Sequence, residues 1–337
     1  MKPNVATPDC IMQLGHAFQG SKTLLSAVEL GVFTALAHGP LELDTLRDQL
    51  GINERGVRDF LDALVALGML TRHEDGRYSN TIETDLYLDR NKPTYVGGLL
   101  EGFNTRHYGN WGSLTTALRT GKPQSGTRGT GNYPALYADQ SRLENFVSGM
   151  TARTRPVANA LAVKFPWANH RTFIDIGTAE GCLPVEIAQT HPHVTGGGFD
   201  LPEARLHFES HVQKHGLSNR LRFCSGDFFA DALPSADVLV MGRVLHNWDL
   251  ATKKMLLQKA FVALPPGGVL IVYERLIDDE RRVNAAGLLS SLNMLVNTAG
   301  GFDSTGVDYI GWMRDTGFRD MRIEPLTAEQ SMVVGVR

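Results

Sequence analysis

Residues 172–188 read TFIDIGTAEGCLPVEIA, and the fold turns on how they are parsed. The run TFIDI (172–176) has the composition of a buried strand. Gly177 and Gly181 then allow a sharp turn and a close backbone approach to a ligand. Pro184 suits the first turn of a following helix. The spacing is not the GxGxxG of a dinucleotide site. Asp175 lies two residues before the first glycine, where an acid would repel a pyrophosphate and suits a ligand carrying a positive ammonium group. Taken alone, the segment also reads as a plain tight turn between strand and helix.

Working outward, strands are expected at TFIDI (172–176), VTGGGFD (194–200), LRFCS (221–225), ADVLVM (236–241), VLIVYE (269–274) and SMVVGVR (331–337), with helices between them. That alternation predicts an α/β fold with a mostly parallel sheet covered on both faces. Ligands of such sheets bind beyond the carboxyl ends of the strands. Two more acids fall there. Asp200 ends the second strand, where a carboxylate accepts hydrogen bonds from ribose hydroxyls. Asp227 follows the third, placed to accept from an adenine amino group while Phe228 covers the ring face. Each acid alone is an ordinary loop residue; three at successive strand ends form a constellation.

The N-terminal part changes character. Leu24, Leu25, Val28, Val32 and Leu36 mark a helix over 21–37. Further helices are expected at 43–50 and 54–70, and Asp75-Gly76 is a two-residue hairpin signal. Three helices and a hairpin make a winged helix. Residues 96–168 read as a helical connector with a Gly-rich break at 119–134. The expected domains are 1–95, 96–168 and 169–337. A winged helix often binds DNA, but the candidate recognition helix carries two arginines against Glu54, Asp59 and Asp62, and DNA binding rests on phosphate neutralisation. The net charge of −3 gives no reason to expect nucleic acid or an anionic membrane as partner. No apolar run approaches a membrane span. Cys10, Cys182 and Cys224 are three, far apart and without CxxC spacing; they argue against disulfides and zinc and suit a reducing cytoplasm.

Residues 170–337 resemble class I S-adenosylmethionine-dependent methyltransferases. The whole chain resembles the small-molecule O-methyltransferases of bacterial secondary metabolism and plant phenylpropanoid metabolism. The matching stretches are DIGTAEG (175–181), FDLP (199–202), GDFF (226–229), RVLHNWD (243–249), LPPGGVLIVYE (264–274) and LNMLVNTAGGFDST (292–305). The resemblance implies a Rossmann-like seven-stranded sheet with an antiparallel last strand, SMVVGVR, plus an N-terminal winged-helix dimerisation domain. It implies S-adenosylmethionine as cofactor and S-adenosylhomocysteine as product, held by Asp175, Gly177, Gly181, Asp200, Leu201, Gly226, Asp227, Phe228 and Arg243. It also implies a homodimer whose N-terminal domain closes part of the partner's acceptor pocket, for which the apolar helix 21–37 is a candidate.

A phenol has a pKa near 10, and a histidine near 6.5 is a suitable general base at neutral pH. In the resembled family the histidine of RVLHNWD, here His246, takes the proton from the acceptor hydroxyl; a core histidine bonded to a carbonyl is the bland alternative. Asp303 matches a family glutamate that orients this base, one methylene shorter. The second acid that relatives carry on the last strand aligns with Val334, and Asn247 stands where relatives often have aspartate. With fewer acids, a weaker base or a more acidic acceptor is expected. Trp248 reads as packing, and Asp249 as the cap of the next helix. Phe103, His107, Trp111, Asn293, Met294 and Asn297 are candidate contacts to a small, flat aromatic acceptor. No metal is expected: a pairing of His107 with His246 has no spacing motif behind it. Transfer to carbon or nitrogen, or other chemistry on the same scaffold, stays open.

Overall fold

The chain divides into two units, Met1–Gly109 and Asn110–Arg337. A computed structural model describes residues 6–92, 94–125 and 140–337, without the side chains of 140–149 and 152. The residues expected to form a connector contribute to both units, and the Gly-rich break at 119–134 lies outside the described residues from 126 onward. Among the described residues no helix is long and apolar enough to cross a membrane.

In the first unit, helices Asp9–Leu30, Val32–Ala35, Leu43–Leu50 and Glu54–Ala66 precede a hairpin of β1 (Leu70–Arg72) and β2 (Tyr78–Asn80). The first helix starts earlier than its apolar spacing predicts. It stops at Gly31, whose φ of 79° gives the left-handed cap at which α-helices end. Ala27, Val28, Val32, Phe33 and Leu36 are buried in this unit's own core with Leu46, Leu61 and Leu64. The apolar face expected to serve a partner is therefore consumed internally. Exposed apolar side chains lie one to four turns earlier, at Ile11, Met12, Leu14 and Phe18. The hairpin is also looser than a two-residue turn. Gly76 N–H donates to His73 O at 2.9 Å and His73 N–H to Arg77 O at 2.8 Å, a turn with a glycine bulge.

The second unit carries one seven-stranded sheet in the order β5-β4-β3-β6-β7-β9-β8. Its strands are β3 (Thr172–Ile176), β4 (Thr195–Asp200), β5 (Leu221–Ser225), β6 (Val238–Gly242), β7 (Val269–Glu274), β8 (Arg319–Pro325) and β9 (Ser331–Val336). β3 to β7 pair in parallel, and β9 runs antiparallel to both β7 and β8. Strand alternation splits the apolar residues between two cores. Val238, Val240, Val269 and Ile271 face helices Gln140–Lys164, Cys182–Thr190 and Arg205–Lys214. Leu239, Met241, Leu270 and Val272 face helices Leu250–Ala263 and Gly306–Thr316. Burial on both faces explains why these strands read as unbroken apolar runs. β8 has no such signature: it is a half-exposed edge strand with an irregularity between Arg319 and Arg322, and only pairing with β9 makes it a strand.

Candidate active site

The strand order reverses between β3 and β6, so the crevice of the sheet opens at their carboxyl ends. Gly177 and Gly181 have φ of 76° and 84°. A Cβ on Gly177 would come within 2.9 Å of Val244, and one on Gly181 would strike the Phe208 ring at 2.6 Å. Ala179 between them and Arg243 beyond β6 also sit in the left-handed region, at 51° and 55°. Such non-glycine positions cost on the order of 1–3 kcal/mol each and persist where surrounding structure holds them. Here Ala179 N–H donates to Asp200 Oδ2 at 2.8 Å, and Arg243 N–H to Tyr273 O at 3.0 Å.

The three expected acids lie at three adjacent strand ends. Asp175 is 5% exposed and has no ion pair among the described residues. Burial, reinforced by the charge of Asp200, pushes its carboxyl up to about 8. Burial likewise lifts Asp200 to about 6. It accepts from Ala179 N–H and Leu201 N–H, both at 2.8 Å, and its carbonyl accepts from Gly226 N–H at 2.9 Å. Asp227 Oδ1 accepts from Phe229 N–H at 2.9 Å, while Oδ2 has no hydrogen bond among the described residues. Phe228 meets Trp248 edge to face at 6.0 Å, which makes Trp248 a packing residue as expected. A buried carboxylate without a cation is expensive, so this rim is built for a ligand that brings positive charge and hydroxyls.

Across the crevice, His246 sits on a single 3₁₀ turn, Leu245–Asn247, and is 7% exposed. Its Nδ1 lies 3.2 Å from Asp303 Oδ1, so the shorter aspartate does reach the ring. Glu274 is the residue that reading the sequence missed. Its Oε2 is 3.6 Å from Nδ1, and its Oε1 accepts from His246 N–H at 3.3 Å. It is the second acid, and Val334 is not. Val334 lies in mid-strand opposite Ile271, and antiparallel β9 carries its carboxyl end to the opposite rim. The signal for Glu274 was present: it closes the run VLIVYE as Asp200 closes VTGGGFD. With two acids at the ring, the expectation of a poorly compensated imidazolium does not hold. Burial raises Glu274 above the usual carboxylate range. Burial acts on Asp303 too, but the hydrogen bond and charge of His246 outweigh it and hold Asp303 below its ordinary value.

An ionised Asp303 can only accept, so the neutral ring carries its proton on Nδ1. Nε2 then presents a lone pair, and no hydrogen bond engages it among the described residues. One ligand atom each from His246, Glu274 and Asp303 also lie within 4.8 Å of one another, close enough to share a cation. Asp249 accepts from Thr252 N–H at 2.8 Å and caps the helix that follows.

Of the acceptor candidates, four belong to this unit. Trp111 Nε1 donates to Asn293 Oδ1 at 3.0 Å, and Asn297 Nδ2 donates to the same oxygen at 2.9 Å. Asn110, which the sequence did not single out, donates to Asn297 Oδ1 at 2.8 Å. Met294 is buried on the same helix, Ala285–Asn297. Phe103 and His107 lie in the first unit, with their rings edge to face at 5.5 Å.

A glycine turn at the switch point, acids at three adjacent strand ends and an acid-bound imidazole define the class I S-adenosylmethionine-dependent methyltransferases. Comparison with known proteins is specific. A family model described as "O-methyltransferase domain" matches residues 111–319, and one described as "O-methyltransferase dimerisation domain" matches residues 12–90. The tetracenomycin polyketide synthesis 8-O-methyl transferase TcmO of Streptomyces glaucescens is 41% identical over 98% of this chain and 97% of its own. The N,N-dimethyltransferase OxyT of Streptomyces rimosus is 36% identical over 95% and 93%. The crystal structure of human N-acetylserotonin methyltransferase in complex with S-adenosylmethionine superposes with a TM-score of 0.89 at 28% identity, covering 100% of this chain and 99% of that one. The chain belongs to the O-methyltransferase family and is an S-adenosylmethionine-dependent enzyme.

Proposed function

We propose that the enzyme methylates a hydroxyl, phenolic in character, on a small aromatic metabolite, with His246 as general base. The observation that carries this is the pair of roles at one ring: Nδ1 held at 3.2 Å by a buried acid and Nε2 left without a hydrogen bond among the described residues. S-adenosylmethionine, when bound, supplies an electrophilic methyl on a cationic sulfur. Asp175, Gly177, Gly181, Asp200, Leu201, Gly226, Asp227, Phe228 and Arg243 are the residues assigned to hold it. An uncompensated buried Asp175 suits its ammonium, and the oxygens of Asp200 suit ribose hydroxyls. His246 Nε2 takes the hydroxyl proton of the acceptor, and the ring charge that develops is met by Asp303 and Glu274. The pair therefore orients the base and stabilises it after proton uptake.

The aromatic acceptor rests on Trp111 and Met294, with Asn293 and Asn297 to orient it, and on the similarity to TcmO. A nitrogen acceptor is the second reading, favoured by the similarity to OxyT. The homodimer rests on the match to the dimerisation domain and on exposed Ile11, Met12, Leu14 and Phe18. In the test, purified enzyme is offered hydroxyl and amine forms of one aromatic scaffold. A gain of one CH₂ on the hydroxyl form only is expected. His246→Ala should cost about 10²–10⁴ in kcat; a loss under about tenfold removes the base from the scheme.

A further inference from the structure

We propose that Lys253 is a positioning residue for methyl transfer: its buried ammonium fixes the segment that carries Asp303 and places a positive charge behind the two acids that meet His246. This rests on the reading of His246 as the base.

Lys253 is 0% exposed, on the helix Leu250–Ala263. Its Nζ donates to Phe302 O at 2.6 Å, the peptide that leads into Asp303. It lies 3.0 Å from the Phe302 ring centroid and 5.5 Å from that of Trp312. No carboxylate touches it as an ion pair among the described residues, so its charge acts through the pocket. The charged groups it faces are Glu274, Asp303, Asp308 and Asp249 in declining order. An apolar side chain would fill this place at less cost if packing were the only need.

The need is electrostatic. Glu274 and Asp303 are each 1% exposed and flank one ring, and two carboxylates in a dry site do not both ionise unaided. Glu274 Oε2 has no hydrogen-bond partner among the described residues to share its charge. Arg243 faces Glu274 from the rim, while Lys253 lies in the interior with both acids. Burial lowers the ammonium only to about 8, so it is charged at neutral pH. With Lys253 present, a buried cation faces Glu274 and Asp303 from the side of the Phe302 peptide. Without it, the two acids face each other across the ring with no buried cation on their inner side.

Lys253→Met, Glu274→Gln, their double variant and His246→Ala test this, with S-adenosylhomocysteine binding by calorimetry as the control for folding. Lys253→Met is expected to lower kcat at least about tenfold while the KM for S-adenosylmethionine changes less than about threefold. Glu274→Gln should cost about tenfold in the wild-type background and less than about threefold in Lys253→Met, because Lys253 acts on the ring through the same carboxylate. Losses that multiply, or a Lys253→Met kcat within about threefold of wild type, overturn the proposal. If Lys253→Met does not bind the product, Lys253→Gln, which keeps a donor to Phe302 without the charge, takes its place with the same criteria. If that variant also fails to bind, Lys253 is structural cement and the proposal falls. A His246→Ala loss under tenfold sinks the base assignment instead, whatever Lys253 does.

Discussion

Ionisation of Asp175 should make cofactor affinity climb with pH. In the free enzyme burial holds its carboxyl at about 8, so near pH 7 it is mostly protonated. A ligand ammonium requires the carboxylate, and binding must therefore expel a proton. The sign follows from linkage: the free state holds more protons than the bound state, so binding strengthens as pH rises until Asp175 ionises unaided. Between pH 6 and 7.5 the protonated fraction falls from nearly all to about three quarters. The dissociation constant should then tighten about 20-fold, equivalent to about 1.8 kcal/mol. Asp200, held at about 6, steepens the response only at the low end of this window. Isothermal titration calorimetry with S-adenosylhomocysteine at several pH values gives the slope. Repeating it in buffers of different ionisation enthalpy counts the proton, with nearly one released at pH 7. Asp175→Asn should bind more weakly and keep only the shallow response of Asp200 near pH 6. An affinity that stays flat across this window, with no proton released by the wild type, refutes the assignment of Asp175 to the ammonium.

Four further outcomes are expected. Asp303→Asn should lower kcat at least about tenfold with unchanged S-adenosylhomocysteine affinity, since it removes the charge held against His246 Nδ1; an equal loss in both would mean that the loop, and not the ring, had been disturbed. Gly197→Ala should destabilise the fold by about 3 kcal/mol, because the added Cβ falls on the Arg222 carbonyl of neighbouring β5, which cannot turn away; denaturant unfolding measures it. Asp249→Ala should cost about 1 kcal/mol through loss of the helix cap at Thr252 N–H, with little change in kcat. Light scattering should give a dimer, and charged replacements of Leu14 and Phe18 should turn it to monomer if these exposed residues form the contact.

What the sequence determined by itself was local in origin. The turn at 177–181, the acids at the ends of β3 and β4, the cap at Asp249 and six of the seven strands all follow from residue type at short spacing, where the chain's own geometry decides the outcome. The histidine at the end of an apolar run was legible for the same reason. What only the tertiary structure decided depends on residues distant in the chain. β8 exists because β9 pairs with it, and its half-exposed sequence has no period of its own. The apolar face of the first helix reads the same whether it meets its own unit or a partner, and burial against Leu46 and Leu61 gave the answer. Glu274, not Val334, joins His246 because β9 runs antiparallel and sends its carboxyl end to the far rim. Lys253 reads as one more charge on an amphipathic helix until Phe302 and Trp312 close over it. Spacing along the chain sets which side of an element a group occupies; what lies opposite is set by topology.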